Sequence, residues 1–508
     1  MRPLLARLSP RALALCALAL ALPLIAVGQP RQPTPAQPAH PARPGRTPAP
    51  AAPPPPPIVP RQVERLPNGL TVITIPWDSP GIVAYYTLVR VGSRDEVEPG
   101  HSGFAHLFEH MMFRGTARFP AEVYERTMQS LGADGNAYTT NDFTLYTITT
   151  PASGLDRLVE LEADRFQHLQ YSEPQFRTET GAVLGEYNKS ASDPGQIMDE
   201  TMSELAFTRH TYRHTVIGYL ADVRAMPGYY AYSQNFFRRF YTPDDCTLFV
   251  VGDFDRAHVM DLVRRHYGGW RGRRAQPRIP VEPEPTAGGE RHLDWEGSSP
   301  PRMWVSYRAP GFQTASTRPA DRERAIRETA ALQVVHALAF HESSPLYQRL
   351  VVRDQRVLAL GSYAGWFSRD PGLFQIQATL KPGEPFPGVR DEIQAELDRI
   401  AHGDTPAERV DAVKSHLRYG LWMGLETPDQ VADLFASYTA VSGADTSVEQ
   451  YLQALATVTP QEVAETAARY LATTRRFVVT LAPRPAAAPP AGGAAPTPAA
   501  AAGQGGAR

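Results

Sequence analysis

The sequence has only two cysteines in 508 residues, Cys16 and Cys246, and the first lies inside an N-terminal apolar stretch. If that stretch is removed, one thiol remains and no intrachain disulfide can form, so the core must stabilise itself. Cys246 sits in the apolar run Cys246-Thr247-Leu248-Phe249-Val250-Val251 and reads as inert packing. Lysine is also scarce, occurring at Lys189, Lys381 and Lys414, so arginine supplies nearly all the positive charge. An excess of either sign is missing too. The 51 basic and 53 acidic residues leave a formal charge of -2, which gives no electrostatic case for nucleic acid or anionic membranes. Beyond the N-terminal stretch, no apolar run is long enough to span a bilayer.

What is present suits a globular protein: 42% of the residues are apolar and 9% of the chain is aromatic, over a length that accommodates two or three domains. Arg2, Arg7 and Arg11 precede an apolar run from Ala12 to Val27, with small residues before a plausible cut after Gly28. Residues 1–28 therefore read as a signal peptide, which implies a periplasmic or secreted protein. A retained anchor is the alternative, because the run is at the short limit for spanning. Residues 29–57 are rich in proline and alanine and end in the run Pro53 to Pro57. Such a segment cannot bury a core and reads as an extended linker, and 485–508 is a low-complexity tail of the same character. A Pro-, Gly- and Glu-rich stretch at 275–300 reads as an interdomain linker, separating an N-terminal domain, 58–274, from a C-terminal domain, 301–484.

In the first domain the pattern predicts strands over 70–75, 83–89, 143–148 and 246–252. Helices are expected near 103–113, 120–131, 154–169, 173–189 and 256–267, with Ser172 as the N-cap of the fourth. In the second domain, strands are expected at 303–307 and 476–481, and helices around 320–353 and 386–402. The segment Val458 to Leu481 mirrors the end of the first unit: Arg469-Tyr470 precedes one terminal strand as Arg239-Phe240-Tyr241 precedes the other. This weak repeat predicts an α+β fold of two homologous domains. Each would be a mainly antiparallel sheet packed with helices on one side, the two enclosing a cleft.

The sharpest chemical signal is His106-Leu107-Phe108-Glu109-His110. On a helix, positions i and i+4 share a face, so both imidazoles can point at one metal ion. Glu109 is then placed to take a proton from a water that zinc makes acidic, which is the logic of metallopeptidases with the motif inverted to H-x-x-E-H. A solvated helix face would show the same spacing. However, Leu107, Phe108, Met111 and Met112 favour burial, where an unliganded histidine pair beside a glutamate is costly. A catalytic zinc site needs a third protein ligand. Glu179 and Glu186 share one helix face about two turns apart, and spacing alone chooses neither, nor excludes Glu160, Glu162 or Asp164.

Several segments together resemble the M16 (pitrilysin/insulinase/mitochondrial processing peptidase) family of zinc metallopeptidases. They are Leu66 to Leu70, Gly103 to Thr116, Gly132 to Thr139, Glu162 to Arg165, Tyr212-Arg213 with Val216-Ile217-Gly218, and Tyr241 to Asp244. They cover the body from about 62 to 482. The resemblance implies that His106, His110 and Glu186 bind Zn2+, that Glu109 is the catalytic base, and that Glu179 orients a histidine ligand. It also implies that Asn136, Ala137, Tyr138 and Thr139 border the cleft, where an extended peptide adds as a strand. One departure stands out. Active single-chain members carry an arginine and, seven residues later, a tyrosine in the second domain; here those positions are Val351 and Leu358, unless a shifted alignment brings in Arg353 or Tyr363. The chain thus resembles the zinc-bearing subunit of two-subunit members, whose metal-free homologous partner completes a heterodimer. The second domain has no inverted motif, and His336 and His341 read as structural. The expected activity is endoproteolysis of peptides or unfolded segments. The alternative is a non-catalytic structural or chaperone-like subunit of an envelope complex.

Overall fold

The β-branched and aromatic runs of the first half build a six-stranded sheet. Its strands are β1 (Gln62–Arg65), β2 (Thr71–Pro76), β3 (Ile82–Val89), β4 (Asp134–Thr139), β5 (Thr144–Pro151) and β6 (Cys246–Gly252), in the order β1-β2-β6-β3-β5-β4. The helices of this half are α1 (Phe104–Met111), α2 (Ala121–Leu131), α3 (Leu155–His168), α4 (Glu173–Ser190), α5 (Pro194–Ala206), α6 (Leu220–Ala225), α7 (Tyr230–Phe240) and α8 (Arg256–Tyr267). The second half has five strands, β7 (Gly289–Trp295), β8 (Arg302–Arg308), β9 (Val357–Tyr363), β10 (Leu373–Leu380) and β11 (Phe477–Pro483), in the order β7-β11-β8-β10-β9. Its helices are α9 (Pro319–Phe340), α10 (Pro345–Tyr347), α11 (Phe386–Ala401), α12 (Ala407–Met423), α13 (Pro428–Ser442), α14 (Ser447–Thr457) and α15 (Pro460–Tyr470). This architecture comes from a computed structural model that describes residues 58–312, 318–363 and 368–484. The expected signal peptide 1–28, linker 29–57 and tail 485–508 lie outside the described residues. Among those described, no helix is long and apolar enough to cross a membrane.

The two sheets repeat one plan. In each, the first long strand runs parallel to the last (β2 with β6, β7 with β11), and the other neighbours are antiparallel. The expected pair of homologous α+β domains is therefore present. Its helices do not all lie on one side, however. One face of the first sheet, with Val72, Val83, Tyr85, Tyr146, Leu248 and Val250, packs under α1, α3, α4, α7 and α8. The opposite face, with Ile73, Ile75, Ala84, Tyr86, Phe249 and Val251, joins a core that contains Val431, Ala432 and Phe435 of α13, a helix of the second half. The exchange is reciprocal. Helix α5 of the first half lays Met198, Met202 and Ala206 on Phe477, Val479 and Leu481 of the second sheet, opposite the face covered by α9, α11 and α15. With both faces covered, β6 is buried at every position, which accounts for a sequence that is apolar except at Thr247.

Two expectations need correction. Residues 289–295, assigned to the linker 275–300, form the edge strand β7. The stretch reads as a linker because only one of its edges is paired and its side chains are mostly exposed or half-buried, so polar residues dominate it. Within that stretch 275–288 and 296–300 lack helix and strand. The helix expected over 320–353 stops at Phe340; Ser344 then accepts from the Tyr347 amide at 3.1 Å and, with Pro345, starts a separate helical turn.

Candidate metal centre and active site

Helix α1 begins at Gly103, whose φ of +90° is in the left-handed region; a Cβ there would sit 2.5 Å from the Ile217 carbonyl oxygen. The free amides at this helix start are met by the buried carboxyl of Glu96, which accepts from Gly103 N at 2.7 Å and Ala105 N at 2.6 Å. Burial pushes the Glu96 carboxyl up to about 8 despite these bonds. Phe104, Leu107, Phe108 and Met111 are each at most 1% exposed and anchor the helix in the core. Its other face therefore presents His106, Glu109 and His110. Helix α4 lies alongside α1 and starts from the expected Ser172 cap, completed by Gln175.

These two helices bring together His106, His110 and Glu186, whose ligand atoms all lie within 4.8 Å of one another. Glu186 Oε1 is 3.8 Å from His106 Nε2, and Glu186 Oε2 is 3.5 Å from His110 Nε2. The edge of a tetrahedron with bonds near 2.1 Å is about 3.4 Å, so the donors are spaced for a zinc ion. Two imidazoles and a carboxylate are also a donor set that zinc accepts. The Glu186 side chain is 45% exposed, which leaves this side of the site open to solvent. Glu179, two turns earlier on the same helix face, is buried: its Oε2 stands 3.8 Å from His110 Nδ1 and its Oε1 is 2.9 Å from Arg114 Nη2. Of the carboxylates that spacing left open, Glu160 pairs with Arg157 and Arg118, Glu162 with Arg165, and Asp164 accepts from Thr116.

The charges are tuned by burial and by one another. Burial, reinforced by neighbouring His110, lowers His106 to about 4 and keeps it a neutral donor. Burial also opposes charge on His110, but Glu186 outweighs it and the net shift is upward. Glu186 is lowered, chiefly by its contact with His110. Burial raises Glu109 to about 7, against hydrogen bonds from Thr139 and the charge of His110. A carboxylate near neutrality can both take up and release a proton.

The segment Asn136, Ala137, Tyr138 and Thr139 belongs to β4, which closes one edge of the first sheet and pairs only with β5. Asn136 is exposed and Ala137 buried. Tyr138 donates to Asp433 of α13 at 2.7 Å, and Thr139 Oγ1 donates to Glu109 Oε2 at 2.7 Å. Glu96 and the Thr139–Glu109 contact carry no sequence signal, since each joins segments that only the tertiary fold brings together. In the second half, Leu358 lies 54% exposed on β9 and Val351 packs against the core. His336 is half-buried with its Nδ1 2.5 Å from the Ser362 hydroxyl, and His341 stacks edge-on to His416.

Two models of one family match this chain: Insulinase (Peptidase family M16) over residues 79–219 and Peptidase M16 inactive domain over 231–417. The zinc protease PqqE of Helicobacter pylori is 26% identical over 386 residues, covering 73% of this chain and 82% of that protein. An uncharacterized zinc protease of Mycobacterium bovis is 28% identical over 431 residues, covering 84% of this chain and 94% of its own. Among solved structures, a protease from Helicobacter pylori superposes with a TM-score of 0.76 at 25% identity, over 84% of this chain and all of that one. An M16 inactive domain from Pseudomonas fluorescens gives 0.72 at 14% identity over 85% of this chain and all of that one, a likeness of fold alone. The two family models span most of the described body, and the paired-sheet architecture is shared with these proteins: the chain belongs to the M16 peptidase family.

Proposed function

We propose that the chain is a zinc-dependent endopeptidase acting on peptides or unfolded segments, with His106, His110 and Glu186 as metal ligands. The observation that carries this reading is the convergence of those three donors beside Glu109 at spacings a tetrahedral ion fits. Zinc bound there would supply an acidified water and polarisation of the scissile carbonyl. Glu109, near neutral in its titration, takes the proton of the attacking water and passes it to the departing amine nitrogen. Glu179 faces the far nitrogen of His110 and holds the ring in orientation. The free edge of β4 offers backbone groups to an extended substrate, with Asn136 and Ala137 on the strand that receives it. The positive n-region and apolar run before Gly28 add export to the periplasm or beyond.

The test is cleavage of a quenched peptide library by the zinc-loaded chain beside its Glu109→Gln variant. The variant should keep zinc and lose turnover by about 10²- to 10⁴-fold, the usual worth of a general base. A fully active variant refutes the mechanism. Silence in both chains, with zinc bound, favours the two-subunit form, in which a metal-free homologue supplies what Val351 and Leu358 lack. It also favours the non-catalytic reading if no partner restores cleavage.

A further inference from the structure

We infer that Thr139 is a positioning residue: its hydroxyl fixes the carboxylate of Glu109, and the second half of the chain holds Thr139 in place. This rests on the reading of Glu109 as the general base. Thr139 Oγ1 donates to Glu109 Oε2 at 2.7 Å. A glutamate has three rotatable bonds, and ordering it costs side-chain entropy that a preformed hydrogen bond removes from the reaction step. Threonine suits the task, since branching at Cβ leaves its χ1 stiff and a strand fixes where the hydroxyl points. The preceding residue explains why an edge strand can serve as a rigid support. Tyr138 points to the opposite face of the sheet, where its hydroxyl donates to Asp433 of α13 and its ring packs on Phe143. On the inner face, Thr144 Oγ1 lies 3.4 Å from Thr139 Oγ1 and donates to the Val91 carbonyl at 3.0 Å. The hydroxyl of Thr139 is thereby directed at Glu109 from a strand pinned on both faces.

The experiment compares the zinc-loaded full chain with its Thr139→Val, Thr139→Ser and Glu109→Gln variants. Thr139→Val should lower kcat about 10- to 100-fold, the loss expected for one hydrogen bond to a charged group, with KM within about twofold of the parent. Zinc content and Tm should not move, and Thr139→Ser should restore most of kcat. A second readout needs no turnover: in the Glu109→Gln background, adding Thr139→Val should leave the Kd for a fluorescent peptide unchanged. Unchanged kcat with a raised KM or Kd would overturn the inference, assigning Thr139 to substrate binding. A serine variant as defective as the valine one would also overturn it, assigning Thr139 to packing. The two readings separate cleanly. If Glu109→Gln cleaves like the parent, the general-base reading fails; if that variant is dead while Thr139→Val is fully active, only the present inference fails.

Discussion

The side chains of the site show how much depends on a carboxylate that touches no substrate. Glu179 is buried between Arg114 and the Nδ1 edge of His110. Replacing it with glutamine removes the charge that favours a proton on Nδ1 and so leaves Nε2 less available to a metal. Glu179→Gln should therefore weaken zinc binding about 10- to 100-fold, while kcat at saturating zinc stays within a few-fold of the parent. Competition titration with a chromophoric chelator measures this, and an unaltered zinc affinity would remove Glu179 from the role. At this scale the sequence was legible only in part. His106, Glu109 and His110 could be paired from helical spacing, because i and i+4 must share a face. Glu186 could not be separated from Glu179 that way, since seven residues put both on one face. Only the crossing of α4 against α1 decides which carboxylate reaches the histidine Nε2 atoms.

At the scale of single elements, α1 is the one on which the site depends, and its start is tightly specified. Gly103 combines a left-handed φ with a backbone approach that leaves no room for a methyl group. Gly103→Ala should cost about 2 kcal/mol or more of stability and weaken zinc binding by shifting the helix that carries both histidines. Denaturant unfolding and metal titration on one preparation test both halves of this claim, and a variant with parental values in each would refute it. Local signals located most elements well. The apolar run at 246–252, the Ser172 cap and the helix at 256–267 appear where the pattern puts them. Periodicity was blind to partnership: Met198 and Met202 mark a buried face of α5, but nothing in their spacing says that the face rests on the sheet of the other half. It also missed β7, whose pairing with β11 compensates for a polar sequence.

At the scale of the whole molecule, a polar cluster joins the halves. Arg94 and His210 of the first half hold Asp370 of the second at 2.5 and 3.1 Å, and the Arg369 amide donates to Asp142 at 3.0 Å. Burial opposes charge on Asp370, but the hydrogen bonds from His210 and Arg94 win and bring it down to about 2. A carboxylate lowered on folding contributes stability above its unfolded pKa near 4, and loses that contribution as pH falls through 2. Asp370→Asn should thus cost about 2 kcal/mol at pH 7, with the gap to the parent closing between pH 4 and pH 2. Unfolding curves across that range check it; a gap independent of pH would mean that the charge plays no part.

The crossed placement of α5 and α13 also bears on modularity. Each half reaches into the other like a joint cut from both timbers, with Met198 and Met202 lodged on one side and Val431, Ala432 and Phe435 on the other. Neither half is a unit that could be transplanted, duplicated or lost alone, because each would leave with one sheet face stripped to water. The second half is thereby kept as half of the joinery that holds the first half whole.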